Sequence, residues 1–182
     1  VIFVDDGSTD NTFGILRELY ERNKQLKAIK FRRNFGKSAA LMAGFEHARG
    51  DFVITMDGDL QDDPEEIPNF LEKIKEGYDL VVGWKVERKD PLGKKIVSKI
   101  FNKLTAWLTG VKVHDSNCCF KIFRNEVVKN IKLHGELYRY IPALVHWQGY
   151  KIAEIKVKHH PRRYGKSKYG FSRIFKLFLY LI

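Results

Sequence analysis

Apolar and polar positions in the first half of the chain alternate between short continuous runs and helical stripes. Val1 to Val4 is an apolar run closing on Asp5-Asp6-Gly7-Ser8, and Phe13, Leu16, Leu19 and Tyr20 then recur at helical spacing between Thr12 and Asn23. Leu26 to Phe31 alternates like a strand, Lys37 to Ala48 is rich in Ala, Leu and Met and predicts a helix, and Asp51 to Met56 is an apolar strand running into Asp57. Pro64 opens a helix through Lys75, with Glu65 and Glu66 in the first turn where the helix dipole favours anions. Asp79 to Trp84 reads as a fourth strand. This βαβαβαβ order predicts an α/β fold with a mostly parallel central sheet, right-handed crossovers and flanking helices.

Beyond Trp84 the pattern changes. Leu92 to Thr109 predicts a basic amphipathic helix, Phe120 to Phe123 a short strand, Tyr138 to Trp147 a helix and Lys151 to Lys158 a strand. A basic loop from His159 to Lys168 leads into a closing helix with Phe171, Ile174, Phe175, Phe178, Leu179 and Ile182 on one face and Arg173 and Lys176 on the other. An apolar face with basic flanks suits a helix lying in a membrane interface, and the Leu92 helix has the same character. We read residues 1–182 as a single domain.

Charge sharpens this division. The chain carries a formal net charge of +11. Residues 1–83 hold 11 Lys/Arg against 16 Asp/Glu, whereas residues 84–182 hold 22 against 6. An acidic half suits a metal ion, and a basic half suits phosphates and an anionic membrane surface. The two cysteines, Cys118 and Cys119, are adjacent, which gives neither a disulfide framework nor a C-x-x-C knuckle and fits small buried residues in a reducing setting. The six histidines show no zinc-ligand spacing. Neither a signal peptide nor an apolar run of about 18 residues occurs. The chain opens inside a strand and stops inside the apolar run FLYLI, so the expectation is a piece of a longer protein.

Ligands of parallel α/β sheets sit at the carboxyl ends of strands, and two such ends here carry paired carboxylates, Asp5/Asp6 and Asp57/Asp59. Asp57-Gly58-Asp59 with Gln61 presents hard oxygen donors in one turn, which suits Mg²⁺ or Mn²⁺. Gly58 is expected to let that turn fold so that both carboxylates face one ion. Residues Ser8 to Asp10 read as helix caps, while Asp5 and Asp6 are left for nucleotide contacts, Asp6 to a ribose or base. Lys37 opens the helix after Asn34-Phe35-Gly36, where backbone N–H groups favour an anion or a polar nucleobase edge. In HHPRRYGKSKYG, Arg162, Arg163, Lys166 and Lys168 surround Gly165 and Ser167, a set of donors for phosphate oxygens. Gly165-Lys166-Ser167 lacks the earlier glycine and the strand-loop-helix context of a P-loop.

The segments VDDGSTDNT, RNFGKSAAL, ITMDGDLQDDP, HDSNCCFKIFR and PRRYGKSKYG, in this order, resemble family 2 glycosyltransferases, and within them the polyprenyl-phosphate enzymes of the dolichol-phosphate mannosyltransferase type. The resemblance implies a GT-A fold and inverting transfer of a sugar from a UDP- or GDP-sugar to a polyprenyl phosphate. It also implies a divalent metal on Asp57, Asp59 and Gln61, work at the cytoplasmic face of a membrane, and a first strand before Val1 and membrane segments after Ile182 that residues 1–182 lack. Nucleic acid is not an expected partner. By the same resemblance Asp57, Asp59, Asp115 and Arg162 are the catalytic candidates. Asp5, Asp6, Lys37, Asp57, Lys121, Arg124, Lys166, Ser167 and Lys168 are expected to contact nucleotide or phosphate. Relatives usually read D-x-x-x-G-F-R where this chain has Asp115 to Lys121, so Cys119 stands for the glycine and Lys121 for the arginine, keeping the charge without the fork geometry.

Other readings leave more unexplained. A haloacid-dehalogenase-like phosphohydrolase also uses two aspartates after a strand, but wants Thr or Val where Leu60 stands. A non-catalytic membrane-binding module does not account for the carboxylates. A sugar nucleotidyltransferase would carry a glycine-rich loop at its start, and a glycosyltransferase with a saccharide acceptor would share the donor site.

Overall fold

A computed structural model describes residues 1–86, 107, 109–111 and 113–161. The expected Leu92 and Phe171 helices, apart from Trp107 and Thr109, and the loop residues Arg162, Arg163, Lys166, Ser167 and Lys168 lie outside these residues. Among the described residues no helix is long and apolar enough to cross a membrane.

The first half follows the strand and helix order read from the sequence. Strand β1 (Ile2–Asp5) leads to helix α1 (Thr12–Arg22), β2 (Lys27–Lys30), α2 (Lys37–His47) and β3 (Phe52–Thr55). A 3₁₀ turn (Pro64–Glu66) then precedes α3 (Ile67–Lys75) and β4 (Leu80–Lys85). Asp10 turns the chain into α1 by accepting from Thr12 N at 3.0 Å, while the N-cap position itself, Asn11, makes no side-chain cap bond; Asp63 caps the 3₁₀ turn by accepting from Glu65 N at 3.0 Å. The helix expected to open at Pro64 becomes α-helical only at Ile67, where a second proline, Pro68, fits the first turn because its missing N–H needs no partner there.

The second half adds β5 (Lys121–Arg124), α4 (Asn125–Asn130), a 3₁₀ turn (Leu137–Tyr140), α5 (Ile141–Trp147) and β6 (Ile152–Val157). The helix read over Tyr138 to Trp147 is split at Ile141. Pro142 cannot donate back to Tyr138, so a new helix begins around it.

β1 and β2 pair in parallel as one two-stranded sheet, and the others form a second sheet in the order β3-β5-β4-β6. There β4 and β6 are parallel, and β5 runs against both β3 and β4. The parallel set β3, β4 and β6 therefore has one reversed strand inserted between its first two members. The core lies on this sheet, with Phe70 and Ile74 of α3, Phe120, Ile122 and Phe123 around β5, and Leu80, Val81 and Val82 of β4 all fully buried. Burying side chains of this size stabilises by roughly 1.5–3 kcal/mol each. By contrast, the α1 stripe is only half covered: Leu19 and Tyr20 remain exposed, because two strands are too narrow to shield a whole helix face.

Candidate active site

β1, β3 and β4 end at one edge of the molecule, and the chemistry gathers there. Asp5 closes β1 and is 4% exposed; its Oδ1 accepts from Ser8 N at 2.9 Å, while its Oδ2 has no hydrogen-bond partner among the described residues. The carboxylate of Asp6 accepts from Phe35 N at 2.7 Å and Gly36 N at 3.0 Å, so it holds the loop that enters α2. This closeness requires Gly7, whose φ is +73° and where a Cβ would stand 2.3 Å from the Arg33 carbonyl carbon. Asp6 thus acts as an anion at the amino end of α2.

Lys37, the first residue of α2, reaches across to Asp57 and donates to both carboxylate oxygens, at 2.7 and 3.0 Å. Burial disfavours the Lys37 ammonium, but Cys119 and Asp57 beside it outweigh that and hold its pKa above the ordinary lysine range. Burial likewise opposes the Asp57 charge, and the Lys37 ammonium, the Cys119 thiol and Lys85 together pull its pKa below the usual carboxylate value. Asp57 is therefore ionised at neutral pH.

Behind this pair lies a narrow cleft open to solvent, lined by Lys37, Thr55, Asn117, Cys119, Lys121 and Tyr138 among others. The loop before β5 is fastened to β3 where Thr55 Oγ1 donates to the Cys119 carbonyl at 2.6 Å. Burial pushes the thiols up, Cys118 to about 12 and Cys119 to about 11, so both are neutral S–H groups. Lys121 is buried, its Nζ donates to the Cys118 carbonyl, and burial lowers its pKa.

The turn after β3 owes its shape to Leu60. Its φ is +61°, the one positive value outside glycine among the described residues, whereas Gly58 keeps an ordinary φ and a Cβ there would meet nothing within 4 Å. The conformational freedom expected of Gly58 is therefore exercised at Leu60, a strained position for a branched side chain. Asp59 Oδ1 accepts from Gln61 N at 3.2 Å, a local bond that directs its carboxylate. Asp62 is buried, accepts from Asp57 N at 3.4 Å, and pairs with Lys85 at 2.6 Å.

The same turn is tied to the segment after β6. Asp62 bridges to His159, His160 N donates to the Gln61 carbonyl at 2.9 Å, and Gln61 Nε2 donates to the His160 carbonyl at 3.3 Å. His160 Nε2 also lies 3.0 Å from Asp63 Oδ2, and this bond, with the Glu65 N–H, lowers the Asp63 pKa.

Asp115 is buried in the loop before β5. That loop is held by Glu154 of β6, which accepts from His114 N at 2.7 Å and Asp115 N at 3.3 Å and meets His114 Nδ1 at 2.9 Å. The His114 ring stacks on Trp84 at 4.0 Å. The structure sets Arg124 apart from the expected nucleotide contacts. It pairs with Phe52 at the opposite end of β3, and its Nε donates to the Tyr78 carbonyl at 3.0 Å and lies 3.4 Å from Asp79. A strand places residues three apart about 10 Å from each other, so Lys121 and Arg124 serve opposite edges of the sheet.

Sequence reasoning missed Asp62, Lys85 and the polar part of Cys119. The one available signal was a lysine ending the apolar strand β4, a position that burial makes costly unless an anion waits there.

Among the described residues no three His, Cys, Asp or Glu side chains converge as an ion-binding group. The chemistry at Asp57 nevertheless fits a hard divalent cation: an ionised carboxylate already grips an ammonium with both oxygens, and Asp59 stands two residues away.

An α/β sheet with acidic turns at its strand ends and a lysine poised over one of them fits a GT-A-like fold. The sequence agrees: residues 1–132 match the pattern of glycosyl transferase family 2, and the chain belongs to that family. A dodecaprenyl-phosphate galacturonate synthase of Rhizobium johnstonii is 45% identical over 187 positions, covering 100% of this chain and 55% of that protein. An undecaprenyl-phosphate 4-deoxy-4-formamido-L-arabinose transferase of Shewanella sediminis is 40% identical over 183 positions, covering 100% of this chain and 55% of that protein. The chain thus spans about half the length of the curated relatives it matches. Among solved structures, glucosyl-3-phosphoglycerate synthase of Mycobacterium tuberculosis with Mn²⁺, UDP-glucose and phosphoglyceric acid superimposes with a TM-score of 0.68. That comparison covers 91% of this chain and 61% of the other at 20% identity, a likeness of fold.

Proposed function

We propose that residues 1–182 are the catalytic domain of an inverting, divalent-metal-dependent glycosyltransferase that moves a sugar from a UDP- or GDP-sugar to a polyprenyl phosphate at the cytoplasmic face of a membrane. The observation that carries this reading is the meeting of Lys37 with Asp57 at the end of β3, beside Asp59 and above a cleft floored by Lys121. The two relatives cited above, both polyprenyl-phosphate enzymes by name, support the acceptor class.

Asp57, Asp59 and Gln61 would hold Mg²⁺ or Mn²⁺. When bound, the ion would neutralise charge developing on the departing diphosphate. The chain's own residues would do the rest. Asp6, pinned to Phe35 and Gly36, sets the mouth where a nucleoside would lie. Lys37 supplies an ammonium to the diphosphate, and Arg162, Lys166, Ser167 and Lys168 supply further donors from the basic loop. A phosphate monoester has a second pKa of about 6, so the acceptor arrives as an ionised nucleophile and needs no strong base. The charge of the buried Lys121 would favour that phosphate nearby, Asp115 would position the loop carrying the Cys118-Cys119 pair, and in-line attack inverts the anomeric carbon.

The test is to incubate membranes holding the full-length protein with labelled UDP- and GDP-sugars, with and without chelator, and to extract lipid. Label entering the lipid phase only without chelator is expected; label confined to water-soluble products would shift the reading to a saccharide acceptor.

A further inference from the structure

We infer that Lys37 is the resident counter-cation of Asp57 and leaves it only when a diphosphate arrives, so that the diphosphate and a divalent cation enter the site as a coupled pair. This rests on the functional reading above and adds an order of events to it.

Three observations carry it. Lys37 Nζ occupies both oxygens of Asp57, at 2.7 and 3.0 Å, which is the approach a hard cation would need. The neighbouring ammonium groups are committed elsewhere: Lys85 to Asp62 at 2.6 Å, and Lys121 to the Cys118 carbonyl. Lys37 stands at the start of a helix and on the wall of the cleft that Lys121 also lines, with its Nζ 5.6 Å from the centre of the Tyr138 ring. A lysine stem has four rotatable bonds, so the ammonium can turn from Asp57 toward an anion at the mouth of that cleft without moving α2.

The energetics then favour joint entry. A divalent cation arriving alone meets an ammonium at Asp57 and would have to drive it into a cleft that offers it no anion. A diphosphate supplies that anion, releases Asp57 and leaves both carboxylates of the turn to the cation. By linkage, each ligand tightens the other by the same factor.

The experiment measures Mn²⁺ binding to the intact protein by the loss of the free-ion electron paramagnetic resonance signal, with Mn²⁺ alone, with UDP and with GDP. Wild type is expected to bind Mn²⁺ alone weakly and to tighten with one of the nucleotides. Lys37→Met is expected to bind Mn²⁺ alone about tenfold more tightly than wild type and to lose most of the tightening, a factor typical of linked sites. Lys37→Gln, which keeps a hydrogen bond to Asp57 without the charge, carries the same expectation, and Lys37→Arg is expected to behave as wild type. Equal affinity of wild type and both neutral variants for Mn²⁺ alone overturns the inference while leaving the glycosyltransferase reading in place. Absence of Mn²⁺ uptake by every protein with either nucleotide overturns both.

Discussion

Lys85, the last residue of β4, reaches Asp62 in the acidic turn at 2.6 Å, and the Asp62 side chain has no solvent exposure at all. Asp62 in turn accepts from the backbone of Asp57, so the turn that carries the candidate metal ligands rests on a buried ion pair. Removing one member of such a pair costs roughly 3–5 kcal/mol, because the remaining charge is left without compensation. Lys85→Met is therefore expected to lower the unfolding free energy by about 3 kcal/mol, and Asp62→Asn with Lys85→Met together by clearly less. Urea unfolding of the three variants checks this; a double variant less stable than Lys85→Met alone would contradict it.

Asp59 and Asp6 are expected to separate function from stability. Asp59→Ala removes a carboxylate that accepts from Gln61 N within its own turn, and should reduce transfer by at least about a hundredfold while changing stability by less than about 1 kcal/mol. Asp6→Ala leaves the Phe35 and Gly36 N–H groups without their acceptor, and should destabilise by roughly 1–3 kcal/mol in addition to weakening nucleotide binding. Thermal melts beside transfer assays on full-length protein distinguish the two patterns.

Alkaline pH should unfold the domain through its thiols. Burial opposes the thiolate and raises Cys118 to about 12 and Cys119 to about 11 in the folded chain, from an ordinary thiol value of 9.0. Above the unfolded value the unfolded chain holds fewer protons than the folded one, so stability falls as pH rises from 9 toward 12. Below pH 9 this contribution is fully present. Urea midpoints measured from pH 8 to pH 11 are expected to drop, and the drop should shrink in a Cys118→Ala, Cys119→Ala double variant. The same burial predicts slow alkylation of either thiol at pH 7.

Glu154 should govern the order of the loop carrying Asp115. Its carboxylate receives the N–H groups of both His114 and Asp115, so Glu154→Ala is expected to speed amide exchange at His114 by at least about tenfold. Glu154→Gln, which retains an acceptor oxygen, should speed it less. Exchange followed by mass spectrometry gives the answer without any assay of activity.

The local order of elements was legible because each strand and helix of the first half has its own period and its own caps. Asp63 caps, and Asp10 makes the local turn, as such residues do wherever the chain enters a helix. The acidic strand ends were legible for the same reason, since carboxylates after an apolar run have few structural uses. What escaped was everything decided by pairing across the chain. Nothing in the spacing of Lys121 to Arg124 announces that this strand runs backwards between β3 and β4, or that its two ends serve different edges of the sheet. Cys119 read as a small apolar residue because its composition is apolar; its electrostatic influence on Lys37 and Asp57 exists only once the loop before β5 lies beside β3.

The reversed strand also has a consequence for how the domain is made. Since β5 lies between β3 and β4, those two strands never touch, and a ribosome that has released residues 1–86 has released two sheet edges waiting for a segment that begins only at Lys121. The acidic turn has Lys37 and Lys85 to hold it, but the strand before it gains its ladder partner only when that later stretch threads into place. Assembly is governed by long-range closure, which makes it slow for a chain of this size and leaves the nascent edges in need of protection.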